Sequence, residues 1–204
     1  MNFPTKYSFL LTLIFLAAAL GVLQACVMTK HECRTSDWHQ VGLSDGAHGK
    51  PHSMFGKYVK ACKKASVAPD EGAWLAGHKR GARQYCTPAY GFLFGRNGHA
   101  YHGICEPDQE PAFLQVYLLG VKEYRLKSRV SSVESSIDSL ESEMDGLSDQ
   151  VEKGKLSKDE ARFRRGSLVS RIREAAKELA EAEQDLTRFK EQLLRDGYVK
   201  MSKS

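Results

Sequence analysis

The chain has 204 residues, with 30 Lys or Arg against 25 Asp or Glu and a formal charge of +5. That excess is small and spread over both halves, which excludes the concentrated basic stripe of a nucleic-acid binder. The length suits one compact domain with an extension, or two small domains.

The N-terminal segment has the pattern of an export signal. One early lysine, Lys6, precedes the apolar run Phe9 to Leu23, and the small residue Ala25 stands directly before Cys26. A basic start, an apolar run and a small residue before the cut make a secretory signal over residues 1–25. Leu23-Gln24-Ala25-Cys26 resembles a bacterial lipobox. The resemblance implies that Cys26 is acylated on its thiol, freed by cleavage and becomes the first residue of the mature chain. Several acyl chains anchor far more durably than one. The alternative is an uncleaved anchor over residues 7–25, which is about the minimum length to span a bilayer. In both readings the rest of the chain leaves the cytoplasm.

Four further cysteines remain, Cys33, Cys62, Cys86 and Cys105. An even count in an exported chain reads as two disulfides with three possible connectivities. None of the four falls in a Cys-x-x-Cys pair, so a zinc site has little support.

Composition changes near residue 120. Twelve of the 17 glycines lie from Cys26 to Gly120, and beyond that point Glu, Lys, Arg, Ser and Leu dominate. This predicts a Gly/Cys-rich stapled domain over residues 26–112, then a helical element over 113–198 and a disordered tail over 199–204. Within the stapled domain, Trp38 precedes Gly42 and Gly46, Trp74 precedes Gly77 and Gly81, and Tyr117 precedes Gly120. Small residues four apart share a helical face and let two backbones approach closely. Tight helix packing is the favoured reading of this recurrence over a ligand groove.

Helix boundaries follow from punctuation. Ser36 or Asp37 caps a helix to about Gly46, a second runs from Ser53 to Ala65, and Pro69-Asp70-Glu71 starts a third that ends near Tyr85 before Thr87-Pro88. Asn97-Gly98, between the aromatic-rich stretches Phe92 to Phe94 and His99 to His102, predicts a short β-hairpin. Cys62 and Cys86 sit near opposite ends of antiparallel helices on this reading, too far apart to bridge. That favours Cys33–Cys62 with Cys86–Cys105, and leaves the crossed pairing open.

Asp37-Trp38, Gly42, Asp45-Gly46, Ala61-Cys62, Gly77, Gly81, Tyr85-Cys86-Thr87-Pro88, Gly91-Phe92, Gly95-Arg96, Gly98, Tyr101 and Gly103-Ile104-Cys105 occur in an order that resembles one family. It is a proteobacterial lipoprotein family described only as domain of unknown function 2799. The resemblance covers about residues 33–124 and implies an envelope lipoprotein with a cysteine-stapled domain. It brings no activity, ligand or catalytic residue.

The C-terminal element has the clearest periodicity. Leu126, Val130, Val133, Ile137, Leu140, Met144, Leu147 and Val151 alternate spacings of four and three, and Leu168, Ile172, Ala175, Leu179, Ala182, Leu186, Phe189 and Leu193 repeat the rule. These are two heptad seams. Lys153-Gly154-Lys155 breaks them, and Ser157 with Glu160 forms a capping box. An antiparallel coiled-coil hairpin within one chain is expected, with pairing to a second copy as the alternative.

Candidate chemistry is sparse. His99 and His102 face opposite sides of a strand and do not converge; with His48 and His78 they are read as surface residues. Asp45 and Asp70 suit helix or turn caps. Trp38, Tyr85, Tyr90, Phe92, Phe94 and Tyr101 suit core filling before a sugar or peptide platform. No nucleophile elbow, His-Glu-x-x-His or Walker loop occurs. No catalytic residue, cofactor or metal is assigned.

The expected protein is mainly α: a disulfide-stapled helical domain with one short β-hairpin, followed by the long helical hairpin. The expected role is a non-enzymatic lipoprotein that meets the membrane through acylated Cys26 and an envelope partner, or itself, through the coiled coil. A small-ligand binder or enzyme acting through the stapled domain, with the hairpin as spacer, is the alternative. Val27 is not the Asp that retains many lipoproteins at the inner membrane, so by that resemblance the outer membrane, facing the periplasm, is the expected location.

Overall fold

A computed structural model describes residues 28–198. The signal segment, Cys26 and the tail 199–204 lie outside the described residues. The chain divides into two compact units between Ala82 and Arg83, and each is described by itself.

The first unit contains α1 (Lys30–Thr35), α2 (Trp38–Ala47), α3 (Met54–Cys62), a 3-10 turn (Lys63–Ala65) and α4 (Glu71–Tyr85), whose last three residues belong to the second unit. Local chemistry sets the helix starts. Asp37 Oδ1 accepts from the His39 and Gln40 N–H groups at 2.9 and 3.2 Å. Asp70 Oδ1 accepts from Ala73 N–H at 2.9 Å. Both carboxylates serve backbone donors that a helix leaves unpaired at its N-terminus.

Glycines then determine how α2 and α4 meet. A methyl group on Gly42 or Gly46 would overlap the carbonyl oxygen of Trp74 or His78, and one on Gly77 or Gly81 would overlap that of His39 or Leu43. The contacts ascend together along both helices, so the two run in the same direction through the crossing. Each glycine aims a Cα–H at a carbonyl across the contact. Parallel neighbours require the chain to return between them, and α3 is that return. The Cys33–Cys62 disulfide ties it to α1, with Cα atoms 5.5 Å apart. Trp38, Phe55, Tyr58 and Trp74 pack around this bridge as the core of the unit.

The second unit contains α5 (Pro88–Arg96), α6 (Glu110–Glu152) and α7 (Lys158–Arg195). Here the expected β-hairpin is corrected: Pro88–Arg96 is helical, and no strand occurs among the described residues. The Thr87 hydroxyl caps α5 by accepting from Tyr90 N–H at 3.4 Å, and Pro88 occupies its first turn. Asn97 has φ −91° and only Gly98 is left-handed, at +75°. A type I′ turn needs both positive. Instead Gly98 N–H donates to Gly95 and His99 N–H donates to Phe94, the two bonds of a Schellman motif. The Phe94 and His99 rings, 4.8 Å apart, supply its side-chain contact.

α5 and α6 repeat the glycine crossing in the same register. Gly91 faces the carbonyl of Phe113 as Gly42 faces that of Trp74, and Gly95 faces Tyr117 as Gly46 faces His78. Gly120 answers from α6 against Phe92, as Gly81 does against Leu43. The return segment is the irregular stretch 97–109, and Cys86–Cys105 closes it with Cα atoms 5.6 Å apart. Both disulfides thus join the pairs favoured above.

Beyond Gly120, α6 turns back at Gly154 into α7. Gly154 has φ +66°, with Schellman bonds from Gly154 N–H to Val151 and from Lys155 N–H to Gln150. Ser157 and Glu160 exchange both capping-box bonds. Every seam residue is buried or half-buried, including Leu140, Leu147, Leu168, Ala182 and Phe189. Arg129 meets Asp185 at 3.3 Å and Arg165 meets Ser148 at 3.3 Å, which sets the pair antiparallel within one chain.

Candidate functional site

Polar side chains gather in three places. The first is a buried cluster in the first unit. Asp45, in the last turn of α2, is 2% exposed because the Gly42–Gly46 face presses that turn against α4. Its carboxylate accepts from Tyr58 Oη at 2.9 Å, Trp74 Nε1 at 3.0 Å and Lys50 Nζ at 2.9 Å. These donors come from α3, α4 and the loop after α2, so one carboxylate joins four segments. Lys50 itself is held by the helix end: its N–H donates to the Asp45 carbonyl beside left-handed Gly49. Burial, and then the bond to Asp45, push the Tyr58 phenol far above its ordinary value. The Tyr58 phenol therefore keeps its proton. With its lone pairs engaged by three donors, Asp45 is poorly placed to act as a general base.

His78 extends this cluster. It is 1% exposed, not a surface residue as the sequence reading has it. Gly77 and Gly81 explain the difference, since the face they form carries His78 into the crossing. A carbonyl only accepts, so His78 Nε2 bears the proton and donates to Lys50 O at 2.7 Å. Burial lowers its pKa against the opposing effect of that bond, and the ring is held neutral. Its Nδ1 is buried with no hydrogen-bond partner. The exposed His52 ring covers it at 4.6 Å.

The second place is the return segment of the second unit. Tyr101 Oη donates to Glu110 Oε1 at 2.8 Å and accepts from Cys105 N–H at 2.9 Å. Burial first, with Glu110 assisting, pushes its phenol up to about 12. Tyr117 Oη donates to the His99 carbonyl at 3.0 Å and accepts from Tyr101 N–H at 3.2 Å. Two tyrosines thus supply the partners that a strand ladder would have supplied. His99 and His102 are exposed, and among the described residues no group of three His, Cys, Asp or Glu is arranged to hold a metal ion. Of the aromatic set, Trp38, Tyr85 and Phe92 are buried, while Tyr90, Phe94 and Tyr101 are half-buried. Buried Glu123 meets Lys127 Nζ at 2.6 Å, with Arg96 3.9 Å away.

The third place is the outward surface of the hairpin. It carries exposed Phe163 and Val169 and a band of serines on α6, of which Ser135 and Ser136 bond back to the carbonyls four residues earlier. No helix among the described residues is long and apolar enough to cross a membrane.

A family model described as "Protein of unknown function (DUF2799)" matches residues 37–122. That segment is similar to this family, and the match covers less than half of the chain. The DUF2799 segment begins at the Asp37 cap and ends just after Gly120, so it contains both glycine crossings and three of the four bridging cysteines. Most of the hairpin lies beyond it. No curated protein and no solved structure matches the chain.

Sequence reasoning found the disulfide cysteines, the caps and the seams, and missed the Asp45–His78 cluster. A signal for it was present. Asp45 stands directly before Gly46, His78 directly after Gly77, and the Trp74 N–H needs an acceptor once that helix face is buried.

Proposed function

We propose that the chain is a non-enzymatic envelope lipoprotein, anchored by acylated Cys26 and facing the periplasm, that works as a structural or protein-interaction module through its helical hairpin. The observation that carries this reading is the hairpin itself. α6 and α7 have 43 and 38 residues and close on one seam within the chain, so most of their surface faces outward. A two-helix element buries only one stripe per helix, which makes it a poor core and a good presenter of surface. The polar groups of the DUF2799 segment support the same reading from the other side. Asp45, Tyr58, Trp74, Tyr101 and Tyr117 are engaged with one another or with backbone, which favours a scaffold role for that segment. The lipobox resemblance at Leu23 to Cys26 supports the anchor, and Val27 favours delivery to the outer membrane.

In-cell photocrosslinking from exposed Ser136, Asp149 and Glu181 tests the module. A discrete adduct with another envelope protein or with a second copy is the expected result. Blank lanes with the protein present and folded would turn the search to a ligand of the DUF2799 segment. Labelling with a fatty-acid analogue tests the anchor, because Cys26→Ser should abolish incorporation and release the protein from the membrane fraction. Equal labelling of wild type and variant would remove Cys26 as the acylated residue.

A further inference from the structure

The half of the hairpin nearest its turn is divided by charge. On α6, Glu134, Asp138, Glu141, Asp145, Ser148 and Glu152 follow one another at spacings of four and three, which places them in one stripe. No Lys or Arg occurs between residues 131 and 152. On α7, Lys158, Arg162, Arg165, Val169 and Arg173 follow at spacings of four and three and form a second, basic stripe. Both stripes lie on the same side of the hairpin. Arg165 Nη2 donates to Ser148 Oγ at 3.3 Å, and Ser148, Lys158, Arg162 and Arg165 line one cleft of about 360 Å³.

These charges remain in solvent. The ion pairs that cross the hairpin, from Arg129 to Glu178 and Asp185, lie in its other half. Near the turn the only pair is local, Lys153 with Asp149, and among the described residues none of the stripe charges lies within ion-pair distance of an opposite charge. Between Arg165 and Arg173 in the basic stripe stands Val169, 43% exposed.

We infer that this face pairs with the same face of a second copy of the chain. A two-fold axis running along the hairpin lays the acidic α6 stripe of one copy over the basic α7 stripe of the other, and the reverse contact follows by symmetry. Both turns then point the same way and Val169 is covered in each copy. A helical repeat that alternates four and three keeps two such stripes facing each other over several turns. Opposite charges in facing stripes fix orientation and partner, because a slide shortens the overlap of opposite charges and a reversed orientation sets like charges together. The inference deepens the reading of the hairpin as the interaction element and does not depend on the lipid anchor.

The test uses the full chain in detergent micelles and two charge-reversed variants. One carries Glu134→Lys, Glu141→Lys and Asp145→Lys; the other carries Arg162→Glu, Arg165→Glu and Arg173→Glu. Energy transfer between donor- and acceptor-labelled copies reports association, and circular dichroism checks the helices. Wild type should associate, and less tightly as salt rises from about 0.05 M to about 0.5 M. Each variant alone should associate at least about tenfold more weakly, and the two mixed should recover wild-type pairing. A third chain with both stripes reversed restores attraction across its own seam and should self-associate like wild type, which separates lost pairing from lost folding. Wild type that stays monomeric at every salt concentration, or folded variants that gain nothing on mixing, would overturn the inference. A photocrosslinked adduct to a different protein, without charge-swap rescue, would retain the interaction module and remove the second copy as its partner.

Discussion

The glycine-crossed helices and the hairpin solve one problem, how to hold helices together, in opposite ways. At the α2–α4 and α5–α6 crossings the backbones touch, and the side chain is absent where it would collide. In the hairpin the backbones stand apart, and Leu147, Leu168 and Ala182 fill the space between them. The first arrangement closes a pair of helices without a large apolar core, and each return segment carries one disulfide to hold it. The second gives a long exposed element from ordinary heptad chemistry. The same amino acid has opposite meaning in the two regions, and that difference is open to experiment.

The largest effect should come from Asp45→Ala. It strands the Tyr58 hydroxyl and the Trp74 N–H in the interior, for a loss of about 4 kcal/mol in urea unfolding at neutral pH. Next is Gly77→Ala, which drives a methyl group into the His39 carbonyl and should cost about 3 kcal/mol by the same assay. The matched change in the hairpin should have the opposite sign. Gly166 lies inside α7 with open space around its Cβ position, so Gly166→Ala should stabilise by about 1 kcal/mol. The smallest effect concerns acid. Because burial holds His78 neutral, the folded state binds fewer protons than the unfolded chain below about pH 6.5. Its contribution is complete above that pH and is lost as pH falls, so His78→Gln should flatten the decline of stability below about pH 6.5. An unchanged slope would mean that His78 is not the titrating group.

These signs also show why parts of the molecule were legible in its sequence. Asp37, Asp70 and the Ser157–Glu160 box act within one helical turn, so their roles are written locally. The seams are legible because a period sustained over many residues has few other readings. Asn97-Gly98 misled because a hairpin turn and a Schellman cap both want a left-handed glycine. The choice fell to Gly91 and Gly95, whose packing on α6 rewards a helix before that turn. Asp45 and His78 were hidden for a related reason. Both are brought in by a crossing whose geometry depends on glycines more than thirty residues apart, and single carboxylates or histidines carry no local mark of burial. Lys50 illustrates the limit well, since its tie to Asp45 arises from the cap at Gly49 and not from any helical spacing.

The measurement that bears most directly on the division of labour is hydrogen exchange on the full chain, compared between native envelope fragments and the purified protein in detergent. The account predicts added protection in envelopes over residues 131–181 of the hairpin, and no change across 38–82, where the backbone is already closed by its own contacts. Protection gained over 38–82 with none in the hairpin would contradict it, and would make the glycine-crossed unit the part that meets a partner.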